Sequence, residues 1–359
     1  MLKLPKNILL LMISVSLVSC ANDGRVLPGE RQSVLPAFSD VSIDEEASNE
    51  DVLSDTQPIN TDATHAGGNE RHSGCNLSLM FPLSLSWSAR TKGIKDNAID
   101  LPQPIIASGH VFSIDGDSRL HAFNLTTGAL LWSFGLDPQA DDPTPGIKGG
   151  IAYRNGVIVA HSGRQNLYAL DVNTGSVIWQ KTLDESLRGG PTLSELNSVI
   201  VTDLDGQVYV FTLSDGTLIW QRSGFPAETV VYGTSSPAIL DQNLMVSGQA
   251  GEIAIYNMLS GALLWADSLA SFNPRTPLER LGDIRAFAAT DQRYAYFISQ
   301  SGRMSAFEVN SGLEVWAKPL SGIEMPWIAE NTIFVVTIDG RLIAMRKSDG
   351  AVHWVTELP

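Results

Sequence analysis

The feature that most constrains this fold is a motif, Gly-x-x-x-Trp, that recurs six times along the chain. The successive tryptophans are separated by 47, 41, 45, 51 and 38 residues. A period of about 40–45 residues made of short strands is typical of a β-propeller, in which each period is one blade. The six copies are Gly128 to Trp132, Gly175 to Trp179, Gly216 to Trp220, Gly261 to Trp265, Gly312 to Trp316 and Gly350 to Trp354.

The second copy shows what one unit is expected to contain. Residues 166–171 alternate side chains as a strand does, and residues 177–179 are rich in β-branched and aromatic side chains. Gly175 lies in the turn between them, where a tight hairpin needs a positive φ. A tryptophan at a fixed distance from every such turn indicates one repeated structural position. We therefore interpret these tryptophans as packing between blades rather than as ligands of a cofactor.

The pattern predicts an all-β protein, a β-propeller of four-stranded antiparallel blades over residues 81–359. Six units are complete. A further strand around Trp87, 45 residues before Trp132, has no hairpin of its own. The strand count favours an incomplete eight-bladed ring in a truncated chain that lacks about 70 residues at this repeat length. A six-bladed ring with a spare strand is the alternative.

The N-terminus has the organisation of a bacterial lipoprotein signal peptide, residues 1–20. Lys3 and Lys6 precede an apolar run, residues 8–18, that is too short to span a bilayer. The run ends at Ser19-Cys20, and a small residue before cysteine resembles a lipobox. We expect Cys20 to be lipidated, since two or three acyl chains anchor a protein firmly. An ordinary signal peptide with a coincidental cysteine is the alternative.

Residues 21–80 are expected to be an acidic, disordered tether. The stretch is rich in Asp, Glu, Ser, Asn and Thr and contains few basic residues. Such a composition buries too little apolar surface to offset chain entropy, and its charge favours extension. Binding of the acidic run to a basic partner is a less favoured alternative. Cys75, near its end, is interpreted as an idle thiol or the site of an intermolecular disulfide.

Charge and residue spacing exclude several functions. The formal net charge of −15 argues against nucleic acid and against an anionic membrane surface as partners. The six histidines show no metal-binding spacing, and no nucleophile elbow or phosphate loop occurs. No catalytic residue, cofactor or metal is therefore predicted.

The repeat resembles two related groups of propellers. Ala169, Asp171, Thr174, Gly175 and Trp179 match the repeat of quinoprotein dehydrogenases, which bind pyrroloquinoline quinone. Those enzymes carry adjacent cysteines, and this chain has only Cys20 and Cys75. Residues 83–359 are more similar to BamB-type lipoproteins of the outer-membrane β-barrel assembly machinery. That resemblance implies an eight-bladed, non-catalytic protein on the periplasmic face of the outer membrane.

The same resemblance implies a partner and the loops that contact it. Family members bind a periplasmic POTRA domain of the central barrel protein through two neighbouring loops. Here these correspond to residues 230–237 and 279–284, and the expected partner-binding residues are Val231, Tyr232, Arg280, Leu281 and Asp283. Tyr232 stands where the family has Arg. Arg285 stands where it has a second acidic residue, which reverses the charge.

The sequence thus favours a scaffold lipoprotein that assists the folding and insertion of outer-membrane β-barrel proteins. Its expected partners are the barrel-assembly protein, the other assembly lipoproteins, unfolded outer-membrane proteins and, through the lipid anchor, the outer membrane itself. Two alternatives remain open: a quinone-dependent oxidoreductase and a generic ligand-binding propeller of the cell envelope. A propeller fold alone does not decide among them.

Overall fold

The computed structural model describes residues 41–52, 62–73, 81–93, 101–137, 149–224, 235–270 and 284–359. Cys20, Cys75 and the signal peptide lie outside these ranges. The described chain contains six four-stranded antiparallel sheets and one short 3-10 turn, Ala47–Asn49. None of the helices in the described ranges is long and apolar enough to cross a bilayer.

Each sheet is formed by four strands that follow one another in the chain. Sheet 1 comprises β1 (Ile105–Ala107), β2 (His110–Ile114), β3 (Arg119–Asn124) and β4 (Leu130–Gly135); sheet 2 comprises β5 (Gly150–Arg154), β6 (Val157–His161), β7 (Asn166–Asp171) and β8 (Val177–Thr182); sheet 3 comprises β9 (Leu187–Leu193), β10 (Ser198–Asp203), β11 (Val208–Thr212) and β12 (Leu218–Arg222). Sheet 4 comprises β13 (Ala238–Leu240), β14 (Asn243–Ser247), β15 (Glu252–Asn257) and β16 (Leu263–Ser268); sheet 5 comprises β17 (Ala289–Thr290), β18 (Tyr294–Ile298), β19 (Met304–Glu308) and β20 (Glu314–Lys318); sheet 6 comprises β21 (Trp327–Ala329), β22 (Thr332–Val336), β23 (Arg341–Arg346) and β24 (Val352–Glu357). The prediction of six complete units is confirmed.

The repeated glycine forms the turn between the third and fourth strands. In sheet 2, Gly175 has φ +68°, and the Asp171 carboxylate accepts hydrogen bonds from the Asn173 and Thr174 amides. The ladder between β7 and β8 then shifts register between Ala169 and Leu170. This shift recurs at the corresponding place in every sheet, so the motif encodes a bulged hairpin.

The tryptophans hold consecutive sheets together. Trp179 of sheet 2 lies over Gly216 of sheet 3, and its indole Nε1 donates to the Leu213 carbonyl at 2.7 Å. The indoles of Trp132, Trp220, Trp265 and Trp316 donate in the same way to the carbonyl three residues before the next glycine. Five hydrophobic clusters fill the spaces from sheet 1–sheet 2 through sheet 5–sheet 6. Inter-blade packing, as predicted, is the role of this side chain.

The first strands are the innermost. β1 contacts β5, β5 contacts β9, β13 contacts β17 and β17 contacts β21. The fourth strand is the last in each sheet and forms a ladder on one side only. Six sheets with their first strands inward and their fourth strands outward form a β-propeller, the predicted fold class.

Separate segments cover the outer faces of sheets 1 and 6. On sheet 1, the segment 81–93 places Trp87 over Gly128, and the Trp87 indole donates to the Leu125 carbonyl at 2.8 Å. On sheet 6 lies the segment 41–52, here called the capping segment. Its Asp44 amide donates to the Val352 carbonyl at 3.0 Å, and Ala47 is fully buried.

A third segment, residues 62–73, crosses the innermost strands and is here called the axial segment. It pairs with β1 through Ala63 and Ile106, and with β5 through His65 and Ala152. The sequence predicts disorder for residues 21–80, and in the capping and axial segments the structure departs from that prediction. The physical reason is that backbone hydrogen bonds to the sheets hold both segments, and composition does not report these. The boundary of the propeller at residue 81 and the closed blade number stay predictions.

Candidate partner-binding loops

The predicted partner-binding residues belong to two connections between sheets. Val231 and Tyr232 precede β13, and Arg280, Leu281 and Asp283 precede β17. All five lie outside the described residues, as does the lipidation residue Cys20. The structure describes the points where these connections leave one sheet and join the next, and these anchor points locate the loops on the propeller.

The C-terminal anchors of the two loops lie against each other. Ser235 lies near the C-terminal end of the first loop, and its hydroxyl donates to the Ala286 carbonyl, just beyond the second loop, at 3.2 Å. The Ser235 hydroxyl also lies 2.5 Å from that of Ser247 on β14. Ile284 is fully buried in the cluster between sheets 4 and 5, and its amide donates to the Gly248 carbonyl. The two predicted loops therefore return to the propeller at neighbouring points.

A buried arginine from the preceding sheet connects to the same place. Arg188 on β9 is 4% exposed, and its Nη2 donates to the Ile284 carbonyl at 3.3 Å. The Arg188 carbonyl in turn accepts from the Thr202 hydroxyl at 3.2 Å. A buried guanidinium fixed at both its head and its backbone is a rigid support. Sheet 3 thus helps to position the end of the second loop.

The packing between the first strands near these anchors is very close. A Cβ on Gly189 would lie 2.4 Å from the Ser235 carbonyl oxygen, and Gly189 has φ +66°. The Gly190 amide donates to the Ser236 hydroxyl at 2.7 Å, and the Thr192 hydroxyl donates to the Pro237 carbonyl. Only glycine allows this approach. The join between sheets 3 and 4 is consequently fixed where the first loop ends.

A cleft between sheets 3 and 4 opens beside the anchors. Its lining includes Arg188, Asp203, Ser247, Glu252 and Tyr256. Burial raises the pKa of the Asp203 carboxyl above its usual value, although Asp203 accepts hydrogen bonds from the Gln207 amide and the Tyr209 hydroxyl. The cleft thus places the buried Arg188 guanidinium near a carboxyl that is harder to ionise than usual.

Arg285, the residue that reverses the family's charge, is half-buried next to the second anchor. Its Nε is buried, with no hydrogen-bond partner among the described residues. The guanidinium is therefore partly withdrawn into the protein and is not a freely solvated loop charge. Position 285 belongs to the predicted partner surface, and the structure adds that the Nε of this side chain is enclosed by the protein.

Sequence reasoning missed the support residues Arg188 and Ser235. The signal that could have found them is local: a Gly-Gly-Pro sequence at 189–191 and a Ser-Ser-Pro sequence at 235–237 stand at equivalent places in two repeats. Glycine within a strand often marks the close approach of another backbone, and Gly189 and Gly190 lie inside β9. Among the described residues, no group of three or more His, Cys, Asp or Glu side chains could hold a metal ion.

Comparison with known proteins identifies what this chain is similar to. A family model described as "Outer membrane protein assembly factor BamB" matches residues 86–356. An outer membrane protein assembly factor BamB of Yersinia pestis is 22% identical over 280 residues, which is 77% of this chain and 71% of that protein. An uncharacterized protein of Rickettsia conorii is 22% identical over 72% of this chain, and the match spans 62% of the Rickettsia protein, less than two thirds of its length.

The fold comparison agrees. The crystal structure of BamB from Moraxella catarrhalis superposes with a TM-score of 0.62 at 20% sequence identity, covering 71% of this chain and 75% of that one. At this identity the likeness shows the fold. Together with the six sheets described above, it establishes the β-propeller class.

Proposed function

Because the chain belongs to the family of outer membrane protein assembly factors of the BamB type, we propose that it is a non-catalytic scaffold of the β-barrel assembly machinery. Its role would be to bind the POTRA region of the central barrel protein and so assist the folding and insertion of outer-membrane β-barrel proteins. The family match covers all six sheets, so the proposal concerns the propeller as a whole.

The observation that carries the proposal is the meeting of the two loop anchors. A partner that contacts loops from two different connections needs them side by side, and the Ser235–Ala286 hydrogen bond brings their ends together. Arg188 and the tight glycine contacts make this base rigid, which lowers the ordering cost of binding. Val231 and Leu281 would supply apolar contacts, and Asp283, Arg280 and Tyr232 polar ones.

The remaining parts of the proposal concern location. Lipidation of Cys20 would anchor the protein to the periplasmic face of the outer membrane, where the barrel protein and the other assembly lipoproteins act. Within the described residues, the outer strands of the sheets leave one backbone edge unpaired, with exposed apolar side chains such as Leu130 and Leu263. Such edges could receive extended segments of unfolded outer-membrane proteins by strand addition.

Site-specific photo-crosslinking in intact cells tests the partner contact. A photo-reactive phenylalanine analogue is placed at Val231 or Asp283 and, as a matched control, at Asn173, an exposed residue of an outer hairpin turn. We expect the barrel-assembly protein to be captured from positions 231 and 283 and not from 173. Capture equal at all three positions, or none from the two loops in a chain that is folded and membrane-bound, would contradict the proposal.

A further inference from the structure

The axial segment bonds to the first strands of five of the six sheets. The Tyr153 amide of β5 donates to the Thr64 carbonyl at 2.9 Å, the Ile239 amide of β13 to the Glu70 carbonyl at 2.8 Å, and the Thr290 amide of β17 to the Arg71 carbonyl at 3.2 Å. With the pairing to β1 and a side-chain bond to β9, it connects the first strands of sheets 1 to 5. These contacts join inner strands of sheets that are not all neighbours in the chain.

The turn of the axial segment contacts residues that lie just before the first strand of sheet 1 and just before the first strand of sheet 6. The Gly67 amide donates to the Gln103 side chain, just before β1, at 3.0 Å. A Cβ at Gly67, which has φ +81°, would lie 2.9 Å from the Met325 sulfur, just before β21. Among the described residues, the five hydrophobic clusters join only consecutive sheets, and none joins sheet 6 to sheet 1. The axial segment is thus in contact with both ends of the array.

A buried histidine fixes the centre of the segment, and its bonding requires the neutral ring. His65 is 2% exposed, and its Nε2 accepts the Leu193 amide of β9 at 3.0 Å. Nε2 therefore carries no proton, and the Nδ1 proton is donated to the Thr64 hydroxyl at 2.8 Å. Protonation of Nε2 would place two N–H donors against each other in a buried site, at the cost of this bond.

His72, at the other end of the segment, is buried as well. It is 1% exposed, its ring lies 4.9 Å from that of Phe287, and its Nδ1 has no partner among the described residues. Burial lowers the pKa of His72 to about 4 and that of His65 to about 3. For His65 the charges of His72 and of Arg154 on β5 act in the same direction, and Arg154 pairs with Glu70 of the segment at 3.4 Å.

We propose that the axial segment is a histidine-locked clasp, which holds the inner strands of sheets 1 to 5 together while His65 and His72 are neutral and releases them when both rings are protonated. The sign follows from linkage. Both rings bind protons more readily in the released segment than in the clasped one, so clasping is fully stable above the ordinary histidine pKa of 6.5 and weakens as the pH falls below it.

Amide hydrogen exchange of the full chain tests the clasp. The reporters are the amides of Tyr153, Leu193, Ile239 and Thr290, all of which bond to the axial segment, and the reference is β11 in the middle of sheet 3. Between about pH 7.5 and about pH 5, we expect exchange of the reporters, corrected for the intrinsic rate, to accelerate by roughly 30-fold for each histidine. The β11 amides should change much less.

The variant His65→Gln/His72→Gln isolates the titration, because a glutamine oxygen at 65 can still accept the Leu193 amide and carries no proton to gain. Its reporter amides should lose most of the pH response of the wild type and keep only what the buried His161 of β6 contributes, whereas His110→Gln, on β2 and outside the segment, should behave as the wild type. Reporters that stay protected in the wild type, or that exchange in step with β11, would overturn the clasp. So would an unchanged pH response in the double variant. Should that variant fail to fold, the wild-type comparison of reporters with β11 decides alone.

Discussion

The interface between sheets 2 and 3 and the outer face of sheet 1 use the same contact in different surroundings. Trp179 lies between two complete sheets and is 7% exposed, whereas Trp87 makes the same glycine and carbonyl contacts from a single extended segment and is half-buried. The indole geometry is thus set locally by the receiving hairpin. What differs is how much apolar surface the donor side brings with it.

The outer face of sheet 6 is covered in a third way. Its outer face is covered by the capping segment, which contains no copy of the motif and is held by the Asp44–Val352 bond and by the His353 ring, which donates to the Ala47 carbonyl at 2.7 Å. A stacked repeat is stabilised by each unit and its neighbours, and its terminal faces need different chemistry. We therefore expect the interior interfaces to contribute most to stability and to use the same contacts, and the two terminal faces to contribute less and to use contacts of their own.

The largest expected effect is at the interior tryptophan. Trp179→Ala should lower the free energy of unfolding by about 4 kcal/mol, since it opens a cavity between two sheets and leaves the Leu213 carbonyl unpaired. Trp87→Ala removes the same contacts from a half-exposed position and should cost about 2 kcal/mol. Urea unfolding followed by circular dichroism measures both. Equal losses would show that the donor sheet adds nothing to the contact.

The receiving glycine should show the next largest effect. Gly175→Ala places a Cβ 2.6 Å from Trp132 Cε3 at a positive φ, so we expect a loss of about 3 kcal/mol from strain and displacement of the ring. Gly340→Ala is the matched control, because Gly340 has φ +80° and nothing within 4 Å of the added Cβ. It should lose only about 1 kcal/mol. If the two variants are equally destabilised, backbone strain alone accounts for the loss at Gly175 and the contact with Trp132 adds nothing.

The repeat itself could be predicted from the sequence because its causes are local. Gly175, Asp171 and Trp179 lie within nine residues, and their positive φ, turn bonds and packing follow from residue type. The capping and axial segments could not be predicted in this way. The Leu193–His65 bond joins residues 128 apart in the chain, and the acidic composition around it favours disorder. Segments held by backbone bonds to a preformed surface leave little trace in composition.

The candidate site likewise has a part that the sequence could predict and a part that depends on long-range contacts. The family resemblance implies two neighbouring loops, and the Ser235–Ala286 bond joins the described residues at their ends. Their support by Arg188 depends on a bond between residues 96 apart, for which the sequence carries only the small residues before Pro191 and Pro237. The contacts of Val231, Tyr232, Arg280, Leu281 and Asp283 stay predictions.

The smallest expected effect is at the capping segment, whose removal should leave the interior interfaces intact. Ala47→Glu forces a carboxylate into a fully buried position against sheet 6 and should free the segment. Exchange of the Asp44 amide, which bonds to Val352, should then accelerate by about 30-fold, the equivalent of about 2 kcal/mol. Ser48→Glu is the control, because Ser48 is exposed in the same 3-10 turn and the substitution adds the same charge.

The Trp179 indole N–H, which bonds across the interface between sheets 2 and 3, should stay protected from exchange in both variants. In a stacked array, a terminal cap stabilises its neighbour and not the distant interior. Loss of protection at Trp179 in Ala47→Glu would instead mean that the capping segment and the sheets unfold as one unit.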